Sequence, residues 1–241
     1  MSQNNTERSS AGVMIDLNNV AKSYATAAGE TQALKNISWQ VNSGDALAIM
    51  GPSGCGKTTL LNLIGSMDRV TQGDIVVDGQ DVTRMSERGA EQYRLRKVGF
   101  IFQFFNLVPS LSAVENMELP MILAGVPKAE RMERCNNLLE TIGLADKGDK
   151  RPEELSGGEQ QRVAVCLALV NDPDLILADE PTGNLDVANM EIISNLLISL
   201  AKDRGKTVVV ATHDQKMGSA FPRVFRMRDG EFEPNDELSD P

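Results

Sequence analysis

Several short stretches of this chain hold residues whose type and spacing could do chemistry. "GPSGCGKTT" at 51–59 fits G-x-x-x-x-G-K-[ST] through Gly51, Gly56, Lys57 and Thr58. A glycine-rich backbone can curl its N–H groups around phosphate oxygens, and a helix start adds partial positive charge. Lys57 would then reach β- and γ-phosphates, and the Thr58 hydroxyl would face Mg²⁺. Ser53, Gly54, Cys55 and Thr59 complete the cradle. The bland alternative is a turn that only links strand to helix, but the complete motif lies between a predicted strand and a predicted helix. Cys55 reads two ways: a small residue that fits, or a thiol whose pKa falls near a helix N-terminus.

A second acidic element is expected for the metal and for water. "DLILADEP" (174–181) places Asp179 and Glu180 at the end of an apolar run. In open α/β sheets ligands bind at that edge. Asp179 would hold Mg²⁺, through water, and Glu180 would polarise an attacking water as general base. His213 is the single histidine and ends another apolar run, "TVVVATH" (207–213). A lone histidine is more often structural than catalytic. "LSGGEQQR" (155–162) poses a different question. It holds no nucleophile beside a base and no metal-ligand spacing, yet "VAVCLALV" follows at once, so it reads as a glycine-bearing helix start.

The elements that must position these residues alternate. "VMIDLNNVAKSY" and "LKNISWQV" read as half-buried strands, and "DALAIMG" (45–51), "GDIVVDG" (73–79) and "VGFIFQ" (98–103) as further strands. "KTTLLNLIGSM" (57–67) has helical spacing. A helical stretch runs from about 112 to 144, with Ser112 and Glu115 as a capping box, an interruption at Pro120 and a restart near Pro127. "ANMEIISNLLISLAKDRG" predicts a helix, and "RVFRMRDGEFE" (223–233) a closing hairpin on its Asp-Gly. Apolar strands separated by helices predict an α/β fold around a mostly parallel sheet covered on both faces, with a helical block at about 105–165 inserted into it. Residues 1–12 and the acidic 234–241 read as disordered tails around one domain at 13–233.

The 241 residues suffice for one large domain or two modest lobes. The formal net charge of −10 argues against a nucleic-acid backbone as main partner. Three cysteines without paired spacing fit a reducing compartment. No secretory signal is visible, and no apolar run approaches the roughly 18–20 residues that span a bilayer.

Taken in order, "GPSGCGKTT", Gln103, "LSGGEQQR", "LILADEP", "GNLD" and His213 resemble an ATP-binding-cassette ATPase over about residues 12–233. The phosphate loop alone is shared by many NTPases, whereas "LSGGEQQR" is far more specific. The resemblance implies a P-loop NTPase fold: a RecA-like, mostly parallel core, an antiparallel β subdomain and an inserted α-helical subdomain. It implies that Tyr24 stacks on adenine, that Gln103 touches Mg²⁺, that His213 contacts the γ-phosphate, and that Asp186 is the D-loop aspartate. Ser156, Gly157 and Gly158 match the signature motif, and Glu159 stands where the family more often has Gln. Two subunits, most simply a homodimer, would meet head to tail, the signature of one closing on ATP held by the other. "QFFNLVPSLSAVENMELPMILAGV" (103–126) resembles ATPases of lipoprotein-release and macrolide-export type. That implies an integral-membrane permease and a cytoplasmic place on the inner face of the membrane. Residues near 104–120 would meet the permease; core packing of the helical lobe is the alternative for Phe104, Phe105, Leu107 and Val108. A soluble cassette without a permease, such as an iron–sulfur assembly ATPase, is the alternative function.

Overall fold

The computed structural model describes residues 12–26, 29–183 and 185–234. The expected tails therefore lie outside the described residues except for Gly12 and Pro234, as does Asn184 of "GNLD". Two sheets and a group of helices make up the chain. In chain order the elements are β1 (Val13–Thr26), β2 (Gly29–Asn42), β3 (Ala46–Met50), α1 (Lys57–Ile64), β4 (Gln72–Val77), β5 (Gln80–Asp81), α2 (Glu87–Arg96) and β6 (Val98–Ile101). There follow α3 (Ala113–Leu123), α4 (Lys128–Thr141), α5 (Gly157–Leu169), β7 (Leu175–Asp179), α6 (Val187–Arg204), β8 (Thr207–Thr212), α7 (Gln215–Ser219), β9 (Arg223–Arg228) and β10 (Glu231–Phe232).

The larger sheet has the order β10-β9-β3-β8-β7-β6. Its pairs from β9 through β6 are parallel, and β10 closes it as an antiparallel hairpin. The hairpin turn uses Asp229 (φ 51°) and Gly230 (φ 84°), the left-handed pair that a two-residue type I′ turn requires. All six residues of β8 are buried, as are the first four of β3 and of β7. These strands read as unbroken apolar runs because helices cover both faces. The smaller sheet, β2-β1-β4-β5, is antiparallel. Trp39 of β2 joins the sheets by packing edge-on to Phe225 of β9, with ring centroids 5.3 Å apart.

Three apolar clusters result. One fills the space between the antiparallel sheet, α1 and one face of the parallel sheet, around Ile15, Leu60, Ile64 and Leu177. The second lies on the opposite face, where Ile193 and Leu197 of α6 meet Val208 and Val210. The third is made by α3, α4 and α5 around Met117, Met121, Leu139 and Val163.

One expectation needs correction. Pro120 does not interrupt the helix: α3 runs through it to Leu123. Proline removes one backbone donor, but Met117 and Met121 flank it fully buried in the third cluster and hold the helix. The chain turns at Gly125 instead, whose φ is +78°. The Ser112–Glu115 capping box is present at the start of α3. The helix α2 has no counterpart in the sequence reading. "ERGAEQYRLR" buries only Ala90 and Tyr93, too little apolar periodicity to announce itself.

Candidate active site

Parallel register carries the separated motifs to one edge. Met50 stands opposite Thr212, Asp179 opposite Ala211, and Ile101 opposite Ala178. The strands all point one way, so the segments after them emerge together: the 51–56 loop, Glu180, His213 and Gln103. The carboxyl-end edge is where open α/β sheets form crevices.

The 51–56 loop leads into α1 through Gly56, whose φ of +112° favours glycine. A side chain there would also strike the Ala33 carbonyl at 2.6 Å. Ser53 and Gly54 are exposed on the loop, Thr58 is exposed in the first turn of α1, and Thr59 is half-buried. Cys55 points inward and joins the first apolar cluster, which leaves its thiol only 4% exposed. That burial matches the reading of a small residue that fits. Lys57 is buried, and its Nζ donates to the carbonyls of Gly51 (2.8 Å) and Pro52 (3.1 Å). Its ammonium stands 3.8 Å from Glu180 Oε1.

Glu180 is held from several sides. Its Oε2 accepts from the Thr212 hydroxyl at 3.1 Å and from the His213 backbone N–H at 3.3 Å. Its Oε1 lies 2.8 Å from His213 Nδ1. Its backbone N–H donates to Ala211 O, and its φ is +47°. A non-glycine residue in that region is strained, and such strain clusters at functional sites. His213 itself is half exposed, so its remaining ring nitrogen is open to a ligand.

Asp179, one residue earlier, is half-buried. Desolvation pushes its carboxyl above the ordinary 3.8, and Glu180 pushes the same way; the Thr58 hydroxyl and Lys57 pull it back. One oxygen, Oδ1, is buried without a hydrogen-bond partner. A buried acceptor left bare is costly. A carboxylate and a hydroxyl side by side are hard oxygen donors of the kind Mg²⁺ prefers, so these residues fit that ion. Among the described residues no group of three or more His, Cys, Asp or Glu forms a closed metal cage. Gln103 lies beside the turn that follows the acid pair: its Nε2 is 3.3 Å, and the Glu180 carbonyl 3.5 Å, from where a Cβ on Gly183 would stand.

Tyr24, near the end of β1, is 39% exposed and faces the start of α1. Its hydroxyl donates to Asp68 Oδ2 at 2.7 Å and also meets Thr59. Lys22 Nζ lies 4.7 Å from the ring centroid and 2.7 Å from Asp68 Oδ1. Sequence reasoning missed Lys22 and Asp68, which fix the ring; neither belongs to a recognisable motif.

The glycine-bearing stretch lies elsewhere. Ser156 is the N-cap of α5: its hydroxyl accepts from Glu159 N at 3.3 Å, and Glu159 Oε2 accepts from Ser156 N at 2.7 Å. Among the described residues no hydrogen bond or ion pair joins 156–158 to 51–59. Gly158 instead neighbours the start of α6, where Asp186 is the N-cap. A Cβ on Gly158 would fall 2.5 Å from Asn189, whereas one on Gly157 would meet only Phe105 at 3.9 Å. Gly158 is therefore explained by packing within this chain, and Gly157 is not.

A profile described as "ABC transporter" matches residues 34–183. An uncharacterized ABC transporter ATP-binding protein of Thermotoga maritima is 48% identical over 220 residues, covering 91% of this chain and 94% of that protein. The lipoprotein-releasing system ATP-binding protein LolD of Syntrophus aciditrophicus is 40% identical over 219 residues, 91% of this chain and 98% of its own. The macrolide export ATP-binding/permease protein MacB of Syntrophobacter fumaroxidans is 44% identical over 223 residues, 92% of this chain but 31% of MacB. Among solved structures, the dimeric post-hydrolysis state of the ATP-binding cassette MJ0796, bound to ADP and Pi, superposes with a TM-score of 0.88 at 40% identity. That match covers 95% of this chain and 100% of the other. The P-loop NTPase architecture, the phosphate loop set against an acid pair at the strand edge, and these matches lead to one conclusion: the chain belongs to the ABC transporter family, as one of its ATP-binding cassettes.

Proposed function

We propose that this chain is the ATP-hydrolysing subunit of a membrane exporter or extractor, working as a head-to-tail homodimer on a permease. One observation carries the catalytic part: Glu180 is fixed by Thr212 and His213 and stands 3.8 Å from Lys57, at the mouth of the phosphate loop. In this reading the backbone N–H groups of 51–59 and Lys57 hold the β- and γ-phosphates, and Tyr24 stacks on adenine. Thr58, Asp179 and Gln103 hold Mg²⁺, which when bound neutralises charge on the phosphate oxygens. Glu180 takes a proton from the attacking water as its oxygen bonds the γ-phosphorus. ADP leaves, and His213 contacts the transferred phosphoryl group. Catalysis rests on positioning and electrostatics rather than on a covalent intermediate. Ser156–Gly158 and Asp186 serve the partner subunit's ATP. The open space over Gly157 supports this, because an incoming γ-phosphate needs backbone N–H groups at a helix start with no side chain over them.

We read the chain as one ATPase domain at 13–233, with its helical subdomain at about 105–165. The permease reading draws on a second feature. A groove of about 690 Å³ lies between α2, β6, α3 and α5, lined by Met67, Phe100, Phe102, Leu119 and Leu123 among others. Of its lining, Met67 (48% exposed) and Leu123 (75%) stand open, and Phe104 (71%) is exposed outside it. Exposed apolar residues clustered at a groove fit a protein partner. No described helix is long and apolar enough to cross a membrane. A permease would supply the spans, with the cassette on the cytoplasmic side and no nucleic acid involved. LolD and MacB, by their names, serve lipoprotein release and macrolide export, and powering a permease of the export or release type is the reading carried to this chain.

The test uses two variants. Glu180→Gln should lower turnover by about 10²–10⁴-fold and, with ATP, elute as a dimer in size-exclusion chromatography. Lys57→Ala should lose ATP binding by calorimetry. A Glu180→Gln chain that hydrolyses ATP at the parent rate would remove Glu180 from the base role. Unchanged affinity in Lys57→Ala would displace the phosphate site. Mild-detergent purification of tagged Glu180→Gln with ATP should bring down a multi-span membrane protein; soluble partners alone would favour a cassette without a permease.

A further inference from the structure

The start of α6 is tied to the start of α5 by one side chain. Asp186 Oδ1 accepts from the backbone N–H of Asn189 at 2.8 Å, and the Asn189 amide donates back to both Asp186 oxygens at 3.0 and 3.1 Å. On its other side, Asn189 Oδ1 accepts from Arg162 Nη1 at 2.8 Å. The same amide fills the space that a Cβ on Gly158 would enter, at 2.5 Å. Arg162 Nε is buried and has no partner, so the bond to Asn189 carries much of the compensation for that guanidinium. The two helices share only part of their packing. α5 buries Val163 and Cys166 in the helical cluster, and Val165 in the cluster where Met190, Ile193 and Leu197 of α6 cover the parallel sheet.

We infer that Asn189 is a positioning residue that locks the Ser156–Gly158 helix start to the Asp186 segment, so that the two segments facing the partner subunit present one edge. This rests on the shared-site reading above. Asn189 touches neither the phosphate loop nor Glu180. Its loss leaves Arg162 without its acceptor and opens a void beside Gly158. The spacing between the two segments then drifts, and the partner's ATP meets a loosened surface. Binding of ATP to a single chain should not change.

The Glu180→Gln chain serves as the background for the test. ATP-driven dimerisation is measured by sedimentation, and single-chain affinity by titrating a fluorescent ATP analogue at concentrations below dimerisation. Adding Asn189→Ala should weaken the dimer at least tenfold while single-chain affinity stays within twofold. Asn189→Asp serves where the alanine variant melts early. It keeps the volume and the acceptor for Arg162, but it loses the amide donor and sets two carboxylates together, and the same weakening is expected. Tight dimers in either folded variant, equal to the background, would overturn this inference alone. A Glu180→Gln chain that stays monomeric with ATP would overturn the shared-site reading and this inference with it.

Discussion

At the scale of the residue, the two signature glycines differ in what they answer to. Gly158 is crowded by Asn189 at 2.5 Å, so Gly158→Ala should shift α5 or α6 and lower the melting temperature. Gly157 has no neighbour within 3.9 Å of an added Cβ. Gly157→Ala should therefore leave stability unchanged or raise it by about 0.5–1 kcal/mol, since alanine is the better helix former. It should still abolish ATP-driven dimerisation, because the methyl stands where the partner's phosphate must come. Melting curves and sedimentation together check both halves. Tyr24 offers a separate residue-scale test. Its ring is steered by Asp68 and Lys22 and left 39% exposed. Tyr24→Ala should cost about 1–3 kcal/mol of ATP affinity by calorimetry if a base stacks there; equal affinity would move the adenine contact elsewhere.

At the scale of the element, the start of α5 depends on a reciprocal cap. The Ser156 backbone N–H and then its hydroxyl hold the Glu159 carboxyl below the ordinary 4.5, against a small opposing effect of burial; Lys147 and Arg162 add to the lowering. A negative charge at the third helical position also suits the helix dipole. The sign follows from linkage. A folded-state pKa below the unfolded one means the stabilisation is present in full above 4.5 and is lost as pH falls through the folded value. Glu159→Gln keeps an acceptor for Ser156 but carries no charge. The stability gap between parent and Glu159→Gln, measured by urea unfolding, should therefore close as pH drops from neutral to below 4.5. A gap constant with pH would show that the charge contributes nothing. Removing the cap itself with Ser156→Ala should cost about 1 kcal/mol at neutral pH.

At the scale of the whole molecule, the proposed hydrolytic site and the proposed docking groove occupy separate places. The phosphate loop and the acid pair lie at the carboxyl edge of the parallel sheet, whereas the apolar groove is lined by α2, β6, α3 and α5 and by none of residues 51–59. Gln103 follows β6, whose Phe100 lines that groove, so a partner seated there would press on a segment that also packs beside Gly183, three residues after Glu180. Leu123→Arg, at an exposed position of α3, should leave single-chain ATP affinity unchanged and remove the membrane partner from detergent pull-downs. Retained co-purification would place the docking surface elsewhere.

The sequence by itself determined the chemistry. "GPSGCGKTT", "LILADEP" and "LSGGEQQR" are contiguous, and each needs only neighbours in the chain to be legible. The unbroken apolar runs of β3, β7 and β8 likewise announced a sheet buried on both faces. What the sequence misjudged was local. Pro120 was read as a break, but burial of Met117 and Met121 outweighs one missing backbone bond. α2 went unread because it buries two residues of ten. Only the tertiary structure decided which distant residues meet. The pairing of Glu180 with His213 arises from the register of β7 on β8, across 33 residues of chain. The bond from Arg162 to Asn189, 27 residues away, arises from how α6 lies against α5. Chain order carries no record of register or helix docking, because both follow from how whole apolar faces pack.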